Sequence, residues 1–186
     1  MRIFLAIPVS EAIKDLAFQA RRELELSGAD VKWVERDNYH LTLKFIGEIE
    51  PTMVELIKDR LEQVAESCPP FRLTFRRWGF FPGYTRPRVV WIGVEGELDK
   101  AEFLGERIDA YLGELGFEAE KKRSLHLTLG RIRSDRNLQK LLERTRQEKV
   151  IGAGSDCQVD KFVLMESILS SRGPQYLVRG SYQLNG

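Results

Sequence analysis

The stretch His40-Leu41-Thr42-Leu43 returns unchanged as His126-Leu127-Thr128-Leu129, and these two segments hold both histidines of the chain. Leucine at every second position is the pattern of a strand with one apolar and one polar face. His40 and Thr42 then share one face while Leu41, Leu43 and Phe45 pack the core, and His126 and Thr128 do the same against Leu127 and Leu129. Imidazole is the side chain whose ordinary pKa permits proton exchange near neutrality, so the doubled motif predicts a two-part site for proton transfer. A lone histidine in a strand is more often structural than catalytic. Repetition at the only two histidines reverses that expectation.

The flanking sequence repeats as well. Residues 2–7 are apolar and stop at Pro8, as in a buried strand. Ser10 is placed to cap a helix that turns Ile13, Leu16, Ala17, Ala20 and Leu24 inward and ends at Gly28. A short strand, Val31 to Val34, precedes the first motif strand, Tyr39 to Ile46. Pro51 opens a second helix with Val54, Ile57, Leu61 and Val64 on one side, and Cys68-Pro69-Pro70 stops it. Phe71 to Arg77 and Arg88 to Val94 read as strands around a loop, Gly79 to Tyr84. Asp99 with Glu102 reads as the capping pair of a third helix that ends at Gly116, and the second motif strand runs from Leu125 to Ile132. A helix over 136–147 and two strands, Asp160 to Leu169 and Tyr176 to Leu184, close the chain around Ser170-Ser171-Arg172-Gly173-Pro174. Helix followed by motif strand thus occurs twice. The expected fold is α+β: one domain, 1–186, of two pseudo-symmetric lobes, roughly 1–90 and 91–186 in sequence. Each lobe is an antiparallel sheet with outer helices, the two face a central cleft, and exchange of strands between them is left open.

Composition narrows the function. With 186 residues, 42% hydrophobic and 31% charged, the chain can bury one sizeable core. A net charge of +1 demands no polyanionic partner, but the charge is uneven. Residues 71–90 carry Arg72, Arg76, Arg77, Arg86 and Arg88 without an acid, and 121–136 carry six bases against Asp135. These windows either cover ordinary surface or, with Phe80, Phe81 and Tyr84, offer stacking rings beside phosphate-neutralising bases. Cys68 and Cys157 have neither metal-type nor redox-type spacing, and the apolar start is too short for a signal peptide. A reduced cytoplasmic protein with no membrane role is expected.

Two imidazoles across a small gap can divide acid and base work, one neutral and accepting a proton, the other protonated and donating. Thr42 and Thr128 each add a hydroxyl donor suited to a non-bridging phosphate oxygen. Such a pocket suits an anionic phosphodiester. A catalytic zinc site wants three protein ligands, and each motif offers one, so no metal and no cofactor are expected. On the residues alone the pocket suits a phosphodiesterase of unspecified substrate, a small cyclic nucleotide among the alternatives, or a non-catalytic RNA-binding module.

With both motifs in hand, the chain resembles the two-histidine phosphoesterase superfamily, and within it the RNA 2′,3′-cyclic phosphodiesterase or 2′-5′ RNA ligase family. The resemblance runs through Arg2-Ile3-Phe4-Leu5-Ala6, His40 to Glu48, His126 to Arg131, Glu166-Ser167 and Gly173-Pro174-x-Tyr176. It implies metal-independent hydrolysis of a 2′,3′-cyclic phosphate on an RNA end, such as a tRNA fragment, to a 2′-phosphomonoester, with 2′-5′ ligation as the reverse. It makes His40 the proton donor, His126 the proton acceptor, and Thr42, Thr128 and Arg131 substrate-binding residues; a monomer is expected. Strict alternation would put Arg131 on the leucine side of its strand, and only a bulge at Gly130 would return it to the cleft.

Overall fold

The computed structural model describes residues 1–147, 155–171 and 173–186. Among the described residues, nine strands and four α-helices follow one another as β1 (Arg2–Pro8), α1 (Glu11–Glu25), β2 (Val31–Trp33), β3 (His40–Glu48), α2 (Met53–Ser67), β4 (Phe71–Phe81), β5 (Val89–Gly96), α3 (Leu98–Gly113), β6 (His126–Ile132), α4 (Leu138–Gln147), β7 (Asp156–Val159), β8 (Lys161–Ser170) and β9 (Gly173–Gln183). Every strand pairing is antiparallel, in the order β7-β4-β5-β6-β3-β1-β8-β9, with β2 also on β6.

The two motif strands lie at the middle of that order, joined by a single pair, Leu41 to Leu127. Each therefore belongs to its own group of strands. His40 sits with β1, β8 and β9, and His126 with β5, β4, β7 and β2. The lobes are not the sequence halves: β2 and β4 of the first half serve the His126 lobe, while β8 and β9 of the second half complete the His40 lobe. The α+β class and two-lobed antiparallel architecture match the expectation, with the two sheets merged into one.

One face of the sheet meets the helices. Ile7, Leu41, Ile57, Leu61, Leu73, Ile92, Leu104, Leu127, Leu141 and Leu164, all fully buried, belong to one continuous core spanning both lobes. Ser10 caps α1 as expected, its hydroxyl accepting from the Ile13 N–H. The third helix starts differently. Glu97, not Asp99, holds its N-cap, and the Glu97 carboxylate accepts from the Arg72 N–H of β4 and from the Lys100 ammonium, without capping a backbone N–H of its helix. The chain between Gly79 and Phe81, expected in a loop, instead continues β4, because these residues pair with Trp91, Val90 and Val89 of β5. Strand β7, unforeseen, pairs with β4 through four residues too short to show a period. Of the turn between β8 and β9, Arg172 lies outside the described residues.

Candidate active site

Antiparallel register around Leu41 and Leu127 sets His40 across from Thr128 and Thr42 across from His126. Burial alternates in both strands as far as the second leucine, with Leu41, Leu43, Leu127 and Leu129 buried and the histidines and threonines half-buried on the opposite face. Each polar pair thus faces away from the helices, and each motif's histidine adjoins the other motif's threonine.

Alternation then breaks at the same place in both. Along β1 and β3, Ala6 pairs with Thr42 and Leu5 with Lys44, leaving Leu43 as an extra residue. Along β5 and β6, Trp91 pairs with Thr128 and Val90 with Gly130, leaving Leu129 as the extra residue. A bulge of this kind shifts every later side chain to the other face. Arg131, paired with Val89, returns to the side of Thr128, and Phe45, paired with Phe4, to the side of Thr42. Phe45 is accordingly not a core residue: it is 64% exposed, while Lys44 takes the inward place at 4%. Gly130 permits the arrangement at β6, since a Cβ there would lie 2.5 Å from Val31 Cγ1 of β2.

Both rings are held alike. His40 Nδ1–H donates to the Asn38 carbonyl and His126 Nδ1–H to the Ser124 carbonyl, each at 2.7 Å. A carbonyl only accepts, so the proton of each neutral ring resides on Nδ1 and Nε2 keeps a lone pair for the cleft. Aromatic walls complete the pockets. Phe4 and Tyr176 flank His40 at 5.1 and 5.3 Å between ring centroids, and Phe81 and Trp91 flank His126 at 4.8 and 6.0 Å. Of the loop rings, Phe80 faces the core and Phe81 lines the site, so the aromatic–arginine segment is part hairpin core and part pocket wall.

Burial pushes His40 below its ordinary pKa of 6.5, against the opposing pull of the Asn38 carbonyl, and a charge on His126 pushes it further down. His126 is lowered mainly by burial, also against its carbonyl partner, with the Arg131 charge adding to the fall. Arg131 and Arg2 both act on the Tyr176 hydroxyl, though burial dominates and raises it. Charge thus couples His40 to His126, and Arg131 to both His126 and Tyr176, whose ring packs on His40. Tyr176, Phe4 and Trp91 are the site residues for which the residue pattern alone assigned no role. Their signal was cross-strand, Phe4 and Trp91 standing on β1 and β5, the strands that flank the two motif strands. Among the described residues no cluster of three or more His, Cys, Asp or Glu is arranged to hold a metal ion.

A family model of LigT-like phosphoesterases matches the chain twice, over residues 7–91 and 92–176. The chain belongs to the LigT-like phosphoesterase family. Among relatives of this LigT-like protein, the RNA 2′,3′-cyclic phosphodiesterase of Aquifex aeolicus is 34% identical over 190 residues, covering 100% of this chain and 98% of that protein. The corresponding enzyme of Archaeoglobus fulgidus is 36% identical over 180 residues, covering 95% and 96%. A crystal structure of a Thermus thermophilus protein superposes with a TM-score of 0.82 at 25% identity, covering 100% of this chain and 99% of that one. E. coli LigT in its apo form shares the fold, with a TM-score of 0.78 at 23% identity over 100% and 98% of the two chains. E. coli LigT has also been crystallised with 3′-AMP and with phosphate.

Proposed function

We propose that this phosphodiesterase hydrolyses the 2′,3′-cyclic phosphate at an RNA end to a 2′-phosphomonoester by acid–base catalysis on His40 and His126. The observation that supports the reading is the Leu41–Leu127 pair, which joins the two motif strands, each with its imidazole bonded through Nδ1 to the carbonyl two residues before it. His126 Nε2 takes a proton from water as the water oxygen bonds to phosphorus. His40 Nε2 gives a proton to the 3′ oxygen as the P–O3′ bond breaks. Thr42, Thr128 and Arg131 donate to the non-bridging oxygens, whose charge grows in the transition state. Each proton transfer contributes about 10²–10⁴-fold.

The charge of Arg131 supports this assignment of roles. It opposes protonation of His126, which suits an acceptor. A depressed pKa makes protonated His40 the stronger acid, and an incoming phosphate anion favours that protonated form. The site needs two proton transfers and no metal or nucleotide cofactor, and run backwards it joins a cyclic phosphate end to a 5′-hydroxyl. Chain 1–186 acts in this reading as one two-lobed domain and as a monomer. Cys68 and Cys157, free and buried, suit a reducing cytoplasm, and among the described residues no helix is long and apolar enough to cross a membrane.

The test is product analysis by ³¹P NMR of an oligonucleotide ending in a 2′,3′-cyclic phosphate, incubated with the protein and EDTA. A 2′-phosphomonoester at undiminished rate is expected. Salt-dependent binding without turnover would replace the reading with that of an RNA-binding module, and loss of turnover in EDTA would overturn metal independence.

A further inference from the structure

Behind the sheet lies a group of buried charges that the proton transfers do not use. The bulge at Leu43 turns Lys44 inward, where its Nζ donates to Asp109 Oδ1 of α3 at 2.7 Å and to the Glu118 carbonyl. The other carboxylate oxygen of Asp109 accepts from the Glu120 N–H at 3.0 Å and from the Arg123 guanidinium. Arg123 also donates to Glu102 at 2.8 Å. The side chains of Lys44, Asp109 and Arg123 are only 4%, 10% and 8% exposed.

Desolvating three charges is costly, and a buried ion cluster is weak evidence of a gain in stability over an apolar core. What it does provide is a fixed geometry. Asp109 holds the later part of the segment between α3 and β6, at Glu120 and at Arg123, and ties it through Lys44 to the strand that carries His40. The residue after Arg123 is Ser124, whose carbonyl holds the Nδ1 proton of His126. The first motif has an exposed counterpart. Arg36 binds Glu11 and Asp15 of α1 two residues before Asn38, whose carbonyl holds His40.

We propose that Asp109 is a positioning residue for His126: through Arg123 it fixes the Ser124 carbonyl, and thereby the tautomer and ring direction of the proton acceptor. The catalytic consequence rests on the function proposed above, whereas the effect on the ring does not. Lys44 anchors the same carboxylate from the other lobe, so the cluster also sets the height of the second motif against the first. An arginine clamp on a helix carboxylate, standing just before the carbonyl that orients a histidine, is thus built twice, once exposed and once buried.

The experiment is ¹⁵N NMR of the two histidine rings in Asp109→Asn, with the backbone amide spectrum as the check on folding. Because Asp109→Asn leaves two buried cations facing each other, Arg123→Lys is measured alongside it. It keeps the charge but lacks the fork that reaches Asp109 and Glu102 together. In folded protein of either variant, His126 is expected to lose its pure Nδ1–H signature and populate both tautomers while His40 keeps it. With a cyclic-phosphate substrate, kcat should fall about 10- to 100-fold with KM nearly unchanged, the cost of a misdirected base. An unchanged His126 signature, or equal disturbance of both rings, overturns the proposal. Absence of turnover in the wild-type protein would instead reject the phosphodiesterase reading and leave the ring measurement to decide the positioning role.

Discussion

At the third cleft-facing position of each motif the repeat parts company, Phe45 standing in β3 where Arg131 stands in β6. The arginine charge bears on His126 alone of the two rings. Arg131→Gln should therefore raise the His126 pKa towards its ordinary value, measurable by ¹H NMR titration of the ring. It should also lower kcat/KM about 10- to 100-fold through loss of one charge-assisted hydrogen bond. Both imidazoles lie below 6.5 in the free protein, so their singly protonated state, the active one, is populated below neutrality. The alkaline limb of kcat/KM is expected below pH 6.5, with that of kcat at higher pH because bound phosphate favours imidazolium. A kcat/KM plateau reaching to pH 8 would contradict this. The same shifts act on stability. The unfolded chain takes up histidine protons at about 6.5 and the folded chain only at lower pH, so stability is complete above 6.5 and is lost as pH falls through that value.

The bulges decide which residues of each strand reach the cleft. They also mark the limit of what periodicity could say about β3 and β6. Alternation correctly placed Leu41, Leu43, Leu127 and Leu129 inward and the histidines and threonines outward. It failed at Lys44 and Phe45, because an extra residue leaves no trace in a pattern of apolar and polar letters. At β6 the glycine gave a hint, since Gly130 is where β2 approaches too closely for a side chain. Gly130→Val should destabilise by about 1–3 kcal/mol, read from the urea midpoint, as Val31 and Trp33 are forced off β6. Wild-type stability in Gly130→Val would show that β2 yields freely. Helix starts were legible where a side chain caps its own helix, as at Ser10. At α3 the acid that occupies the cap is engaged by β4, and that partner lies 25 residues away in the chain.

Across the whole molecule, the lobes trade strands and share one core, so the two are expected to unfold together. Trp33, Trp78 and Trp91 all lie in strands of the His126 lobe, on β2, β4 and β5. Tryptophan fluorescence therefore follows one lobe while far-UV circular dichroism follows both. Their urea transitions should coincide in the wild type and in Leu127→Ala, which empties the joint between the lobes at a cost of about 2–5 kcal/mol. Two separated transitions would mean independent lobes. Sequence could announce two halves because the motif repeats, yet strand exchange was invisible to it, since β8 and β9 carry no mark of the lobe they join. The coupling of the lobes matters most at the histidines, one from each. A double-mutant cycle on kcat/KM for a 2′,3′-cyclic-phosphate dinucleotide, using His40→Ala, His126→Ala and the pair, measures it directly. If the two rings act as one unit, each single variant loses at least about 10²-fold and the double loses little more than the worse single. Wild-type turnover in either single variant, or losses that simply multiply, would contradict a shared site.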